Sequence, residues 1–375
     1  MYRYLILMIT LFLSLGIPLK GNPAPNHSPS FMEERAEDNS LKGEDFAFTD
    51  REFEYAKRES IYFMSRFNDG WLFITTLFHI ENNLLNKWAI YTLIVEPDGT
   101  SHWVDHKIKP SDVKFEKDHL FISDGANTIK GRGGFYSIEY RMRDFSCNLN
   151  FKNILAPWKA GDGTEYLDKE GKIFEKRVVV SPWSEVSGYI KFNNRVLPVK
   201  GQGFGEKSLI VNPLTKIQPY MHSLKVFSSE DIPLDQRWYI NLLDYFSHPE
   251  YDSKHLGRLF IGHKGQLVLN TSEYRLEVSD FIKDDNIPYE YPRSVSLFVS
   301  GEGYILEGEF KSEVLFNFTD VLKKIPFLLR PIVLLFVDRP IYFRSIGEFR
   351  GRIIGPDSEI TPLLLSGSYE YVVVK

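Results

Sequence analysis

The chain reads as an all-β protein built from two antiparallel barrels in tandem. Three observations predict this: strict apolar/polar alternation, hairpin turn signals at short intervals, and a 15% aromatic content carried by 29 Phe and 20 Tyr. Tyr136, Ile138, Tyr140 and Met142 share one parity while Ser137, Glu139, Arg141 and Arg143 share the other, the period-2 pattern of a strand with one buried face. Cys147, Leu149 and Phe151 repeat it against Asn148, Asn150 and Lys152, as do Tyr274, Leu276 and Val278 against Glu273, Arg275 and Glu277. Pro97-Asp98-Gly99, Asn193-Asn194, His263-Lys264-Gly265 and Ser300-Gly301-Glu302-Gly303 offer the preset or positive φ that hairpin turns need. Short strands joined by such turns close into a sandwich or barrel, and the roughly 320 residues beyond the leader suffice for two domains.

Taken in order, residues 1–21 carry one early basic residue, Arg3, and an apolar run from Tyr4 to Pro18. That run is shorter than the roughly 20 residues a membrane span needs, so it predicts a signal peptide and an exported protein, in the periplasm, the cell envelope or outside the cell. Residues 22–52 are rich in Pro, Asn, Ser, Glu and Asp and predict a flexible leader, since little apolar surface offsets the entropy of ordering it. The first barrel is assigned to residues 53–182 and the second to 183–375. One segment breaks the strand pattern: Thr319-Asp320 would cap a short helix through Val321, Leu322, Ile325, Phe327, Leu328 and Leu329, followed by an apolar stretch to Val337. Arg330 and the prolines at 326, 331 and 340 argue against a spanning helix. The surface from Ile325 to Val337 is instead a candidate for peripheral membrane contact.

The net charge of −5 is spread without long blocks, so no basic footprint for nucleic acid exists. Cys147 is the single cysteine, which leaves an exported chain without an internal disulfide. Nucleotide fingerprints, nucleophile elbows and metal-spaced His/Cys clusters are absent, and no cofactor or metal is expected. The glycines at 201, 203 and 205 lie in strand context, where curvature or a bulge explains them better than a phosphate loop. His102 and His106 lie four apart on one face of a strand, which allows a zinc site or an exposed polar edge equally.

Acids at apolar parity point to chemistry, because a carboxylic acid in an apolar interior has a raised pKa and can protonate an olefin or a carbonyl. Asp244 shares the parity of Trp238, Ile240 and Leu242, and Asp280 that of Tyr274, Leu276 and Val278. Trp183, Tyr220, His222, Trp238 and Tyr239 are the aromatic candidates for a surrounding ligand pocket.

Four runs carry a family likeness: Ala156-Pro157-Trp158 through Gly161-Asp162-Gly163-Thr164-Glu165-Tyr166, Val180-Ser181-Pro182-Trp183, Ser187-Gly188-Tyr189-Ile190, and Val199-Lys200-Gly201-Gln202-Gly203-Phe204-Gly205. Through them the chain resembles the tandem lipocalin-like superfamily, which joins survival-factor proteins, AttH-like proteins and the hydroxyneurosporene-synthase type of carotenoid hydratase. The resemblance covers about Ser60 to Lys375 and is sharpest between Ala156 and Asp244. It implies two lipocalin-like β-barrels around apolar ligands. Where relatives carry a His or Asp-His pair after the glycine-rich strand, this chain has Glu206-Lys207-Ser208-Leu209, which makes Glu206 a third candidate acid. Three functions are compatible with these readings: a secreted carrier of a long apolar lipid or isoprenoid, a cofactor-independent hydratase or cyclase using Asp244, Glu206 or Asp280 as general acid, or an envelope protein with filled barrels.

Overall fold

A computed structural model describes residues 41–374 except 83–84, 214–219, 284–286, 288, 321–329 and 331–339. The signal peptide, most of the leader, and the predicted helix with its membrane-contact stretch therefore lie outside the described residues. Elsewhere the regular structure is strand, with one helical turn, α1 (Gly43–Phe46), three 3₁₀ turns, and a helical Arg330 between the undescribed stretches.

The first sheet contains β1 (Ala56–Phe67), β2 (Leu72–Asn82), β3 (Leu85–Val95), β4 (Ser101–Ile108), β5 (Lys114–Phe115), β6 (Leu120–Ser123), β7 (Thr128–Arg132), β8 (Phe135–Arg141), β9 (Phe145–Asn153), β10 (Thr164–Tyr166), β11 (Phe174–Phe192) and β12 (Arg195–Asn212). Its order is β4-β3-β2-β1-β12-β11-β9-β8-β7-β6-β5, with β10 on β11. The second contains β13 (Tyr220–Phe227), β14 (Trp238–Tyr245), β15 (Arg258–His263), β16 (Gln266–Thr271), β17 (Arg275–Lys283), β18 (Glu290–Gly301), β19 (Tyr304–Asp320), β20 (Pro340–Ile354) and β21 (Ile360–Val374). Its order is β16-β15-β14-β13-β21-β20-β19-β18-β17. All described ladders are antiparallel, and each sheet curls around a core of its inward-facing residues, the second also carrying a separate cluster of Ile287, Tyr291, Ile341 and Phe343. Phe63, Tyr136, Ile138, Leu149 and Phe151 join strands distant in the first sheet; Leu224, Leu242, Leu259, Phe310 and Tyr369 do so in the second.

Alternation and turns work as the sequence predicts. Tyr136, Ile138 and Tyr140 are buried, and Asn193 and Asn194 take φ values of 49° and 61°, the conformation that lets a two-residue hairpin match strand twist. Gly203 and Gly205 are needed for close packing: a Cβ on Gly203 would stand 2.7 Å from the Phe151 ring, and one on Gly205 2.5 Å from the Phe63 ring.

Two expected boundaries move. The chain divides between Leu214 and Thr215, not at Pro182/Trp183, which falls inside β11. Pro182 reads as a stop signal, yet it sits among register shifts of β11 against β12 between Val178 and Ser184, where a missing N–H is tolerated. The end of the leader is also ordered. Asp45 is buried against Lys159 at 2.9 Å and Lys176 at 2.6 Å, and Phe48 packs on Trp88 at 5.5 Å. Thr319 and Asp320, expected to cap a helix, end β19 opposite Tyr342 and Ile341, and residues 321–329 after them lie outside the described residues.

Candidate functional site

Positions 238, 240, 242 and 244 of β14 share the inward face, and the first three are apolar members of the second core. Asp244 ends that row. Its carboxylate Oδ1 accepts from Tyr274 Oη at 2.7 Å and lies 2.7 Å from His255 Nε2, while Tyr274 Oη and His255 Nε2 are 3.3 Å apart. All three residues are buried.

The loop from β14 to β15 is built to deliver His255. Ser247 Oγ donates to the Tyr251 carbonyl at 3.0 Å and accepts from Lys254 N at 2.8 Å, and a backbone bridge joins Phe246 to His255. Gly257 makes the cluster possible, because a Cβ there would collide with Tyr274 Oη and the His255 ring. On the other side, His222 of β13 is the register partner of Asp244 and of Tyr371 on β21. His222 Nδ1 lies 2.6 Å from Tyr369 Oη, and its ring stacks on Tyr371 at 5.1 Å. Tyr220 approaches the same imidazole at 5.6 Å.

Electrostatics assign protonation states. Burial acts to raise the Asp244 carboxyl, but the His255 hydrogen bond, the charges of His222 and His255, and Tyr274 together hold it below the ordinary carboxylate value. Burial lowers His222, opposed in part by Asp244. Burial, with the neighbouring Asp244 charge, pushes Tyr274 and Tyr369 well up. The cluster is thus an ionised carboxylate holding an imidazole and a phenol, beside a second imidazole biased toward its neutral form. It can orient hydrogen-bond donors and store or relay a proton.

Residues 23–342 match the model of the Svf1 family. The chain belongs to that family. No curated protein matches this Svf1-family chain by sequence. Among solved structures it is similar to an AttH protein from Nitrosomonas europaea, with a TM-score of 0.61 at 10% identity over 92% of this chain and 99% of that one. CghA with Sch210972 gives a TM-score of 0.61 at 9% identity, covering 85% and 88%. Kievitone hydratase from Nectria haematococca gives 0.55 at 9% identity, covering 96% and 98%. At such identities the likeness shows the lipocalin-like fold alone.

The structure gathers some sequence candidates and disperses others. Asp244, His222 and Tyr220 come together, but Asp244 is not the raised-pKa acid expected of an apolar interior, since its hydrogen-bond donors outweigh desolvation. Asp280 is exposed with a φ of 54°, between the Ser279–Ser294 and Phe281–Pro292 pairs of the β17–β18 ladder, and so stands outside any apolar interior. Glu206 is paired with Arg177 at 2.6 Å in the first sheet and is not part of the Asp244 cluster. Trp183 is fully buried there with Nε1 donating to Gln202 at 2.8 Å. Trp238 stacks on His263 at 3.7 Å, six residues along β14 from Asp244. Tyr239 has the opposite parity and stacks on Phe227 at 5.0 Å. His102 and His106 bond separately to Glu96 and Asp124, and no group of three or more His, Cys, Asp or Glu residues among those described could hold a metal ion.

Sequence reasoning missed His255, Tyr274, Tyr369 and Tyr371. Tyr274 carries a usable signal, because its inward parity is visible in the alternation after Glu273. His255 carries none, since only the loop geometry brings it back to Asp244.

Proposed function

We propose that this chain binds a long apolar molecule bearing a hydrogen-bonding end group, such as a lipid or isoprenoid, in the second sheet. One observation carries the reading: an inward row that is apolar at Trp238, Ile240 and Leu242 ends in the buried Asp244–His255–Tyr274 cluster. Burying a carboxylate is costly unless partners are supplied, and where lysines neutralise the buried Asp45 and Glu59, the partners of Asp244 are an imidazole and a phenol. An amphiphilic ligand would use both parts, its chain along the apolar row and its hydroxyl, amide or carbonyl at the cluster. The reading includes export, for which the apolar run from Tyr4 to Pro18 speaks, and apolar contact with a membrane through Ile325 to Val337.

A second reading rests on the Asp244–His255 contact. A carboxylate that fixes an imidazole is an acid–base pair without a cofactor, and one fold neighbour is a hydratase. His255 or Tyr274, not Asp244, would then hold the proton.

Native mass spectrometry and lipid extraction of the protein purified from its host, as wild type and as Asp244→Asn, test both readings. A stoichiometric apolar ligand in the wild type, reduced about tenfold or more in the variant, supports the carrier. A precursor and its hydrated or cyclised product, with the product lost in His255→Gln, supports the enzyme. Ligand recovery that is identical in all three proteins removes the cluster from either role.

A further inference from the structure

The outward face of the first sheet carries a trough that the Asp244 cluster does not involve. Lys130, Ser137, Asn150, Ser187 and Lys200 are register partners in turn across β7, β8, β9, β11 and β12. Neighbouring strands lie about 4.8 Å apart, so the short side chains of Ser137, Asn150 and Ser187 form a low floor between two lysines. A cleft of about 350 Å³ lies over this row, within the range of small-molecule sites.

Its chemistry is one-sided. Lys130, Lys152 and Lys200 line it against the single carboxylate of Glu185. Lys130 meets Glu139 at 3.2 Å, but both side chains are well exposed, so solvent screens that pair. Ser137 Oγ is buried without a hydrogen-bond partner, a state folded proteins generally avoid. An acceptor brought into the trough would satisfy it. Phe135, 61% exposed at the edge of the cleft, supplies an apolar lip beside these donors.

We propose that this trough binds a phosphate monoester. Its anionic oxygens would accept from Lys130 and from Ser137 Oγ, Lys200 would add its charge from the far side of the floor, and its apolar group would lie against Phe135. Lysine serves as a point charge for phosphate, and charge-assisted bonds of this kind are the stronger class. Soluble esters and lipid headgroups share this chemistry.

Titration of the full chain with phenyl phosphate, followed by amide NMR shifts, tests the site. Saturable binding with a Kd at or below about 1 mM is expected, with shifts in β8 and β9. Lys130→Gln with Lys200→Gln should weaken it about tenfold or more; Phe135→Ser should weaken phenyl phosphate but leave inorganic phosphate unchanged. If the double lysine variant fails to fold, Ser137→Ala, which changes only the unpartnered hydroxyl, should still weaken binding. No saturation by about 10 mM, or equal affinity in the wild type and the folded variants, overturns the proposal. Cosedimentation with phosphatidate vesicles that phenyl phosphate competes away identifies a lipid headgroup as the source. Phenyl phosphate binding without vesicle cosedimentation identifies a soluble ester.

Discussion

In the first sheet β1 lies between β2 and β12, and in the second β13 lies between β14 and β21. Each sheet thus sets its opening strand beside its last. Near the start of that opening hairpin each places an acid opposite an imidazole: Glu59 of β1 is the register partner of His79 on β2, and His222 of β13 that of Asp244 on β14. The two acids then take different partners. Glu59 turns to Lys207 on β12 at 2.8 Å and accepts the Thr49 amide at 3.0 Å, while His79 stacks on Trp88 at 3.8 Å. Asp244 instead collects His255 and Tyr274. The first arrangement neutralises its carboxylate with an ammonium and is covered by the segment bearing Phe48 and Thr49. The second surrounds its carboxylate with groups whose protons can be shared. The same place in the same strand plan holds an ion pair in one sheet and a carboxylate–imidazole–phenol cluster in the other.

The largest test of this contrast is Glu59→Leu. It strands a buried Lys207 and should destabilise the first unit by about 3–5 kcal/mol in urea unfolding, while Glu59→Leu with Lys207→Met should recover most of the loss. A small effect of the single change would mean that the pair holds little structure.

Acid sensitivity sharpens the comparison further. Burial, with help from Lys57, lowers His79 to about 4 from 6.5. A depressed imidazole binds protons more tightly when unfolded, so stability is lost as pH falls from 6.5 to about 4, by up to about 3 kcal/mol. His79→Gln should abolish that part of the pH dependence of the first unit. His222, also lowered, gives a loss of the same sign beginning near 6.5 in the second sheet. Asp244 contributes stability above 3.8, lost only as pH falls through its lower folded value. Indistinguishable pH profiles for the wild type and His79→Gln would count against this assignment.

Gly257→Ala should cost about 1–3 kcal/mol through overpacking, confined to the second unit, and should release apolar ligand by displacing Tyr274 and His255. Retained ligand would mean that the cluster does not touch it. The smallest effect is expected for Glu206→Gln, about 1 kcal/mol or less, because its partner Arg177 is partly solvated. Ligand content should not change, and a change would return Glu206 to the site.

Much of the fold was legible because it rests on local rules. Period-2 alternation located β8, β9 and β17, and Asn193-Asn194 and Lys264-Gly265 marked hairpin turns. The division was misplaced because Pro182 sits in a bulge, which looks in sequence like a break. The leader was drawn too long because the partners of Asp45, Lys159 and Lys176, lie more than a hundred residues away. Asp244 was found by parity. Its protonation was misjudged, because parity reports burial and not the donors that His255 and Tyr274 bring from elsewhere in the chain.

Placing the opening strand beside the last has a consequence for synthesis. Ser60 and Ser208 join β1 to β12 across 148 residues, and His222 and Tyr369 join β13 to β21 across 147. A nascent chain therefore exposes one edge of β1 until nearly the whole sheet has left the ribosome, then meets the same exposure again with β13. Such long-range closure is slow and leaves strand edges open to wrong partners. Truncation within β21 should therefore give aggregation and not a partly active protein, since β13 would keep its edge and the cluster would lose Tyr369 and Tyr371.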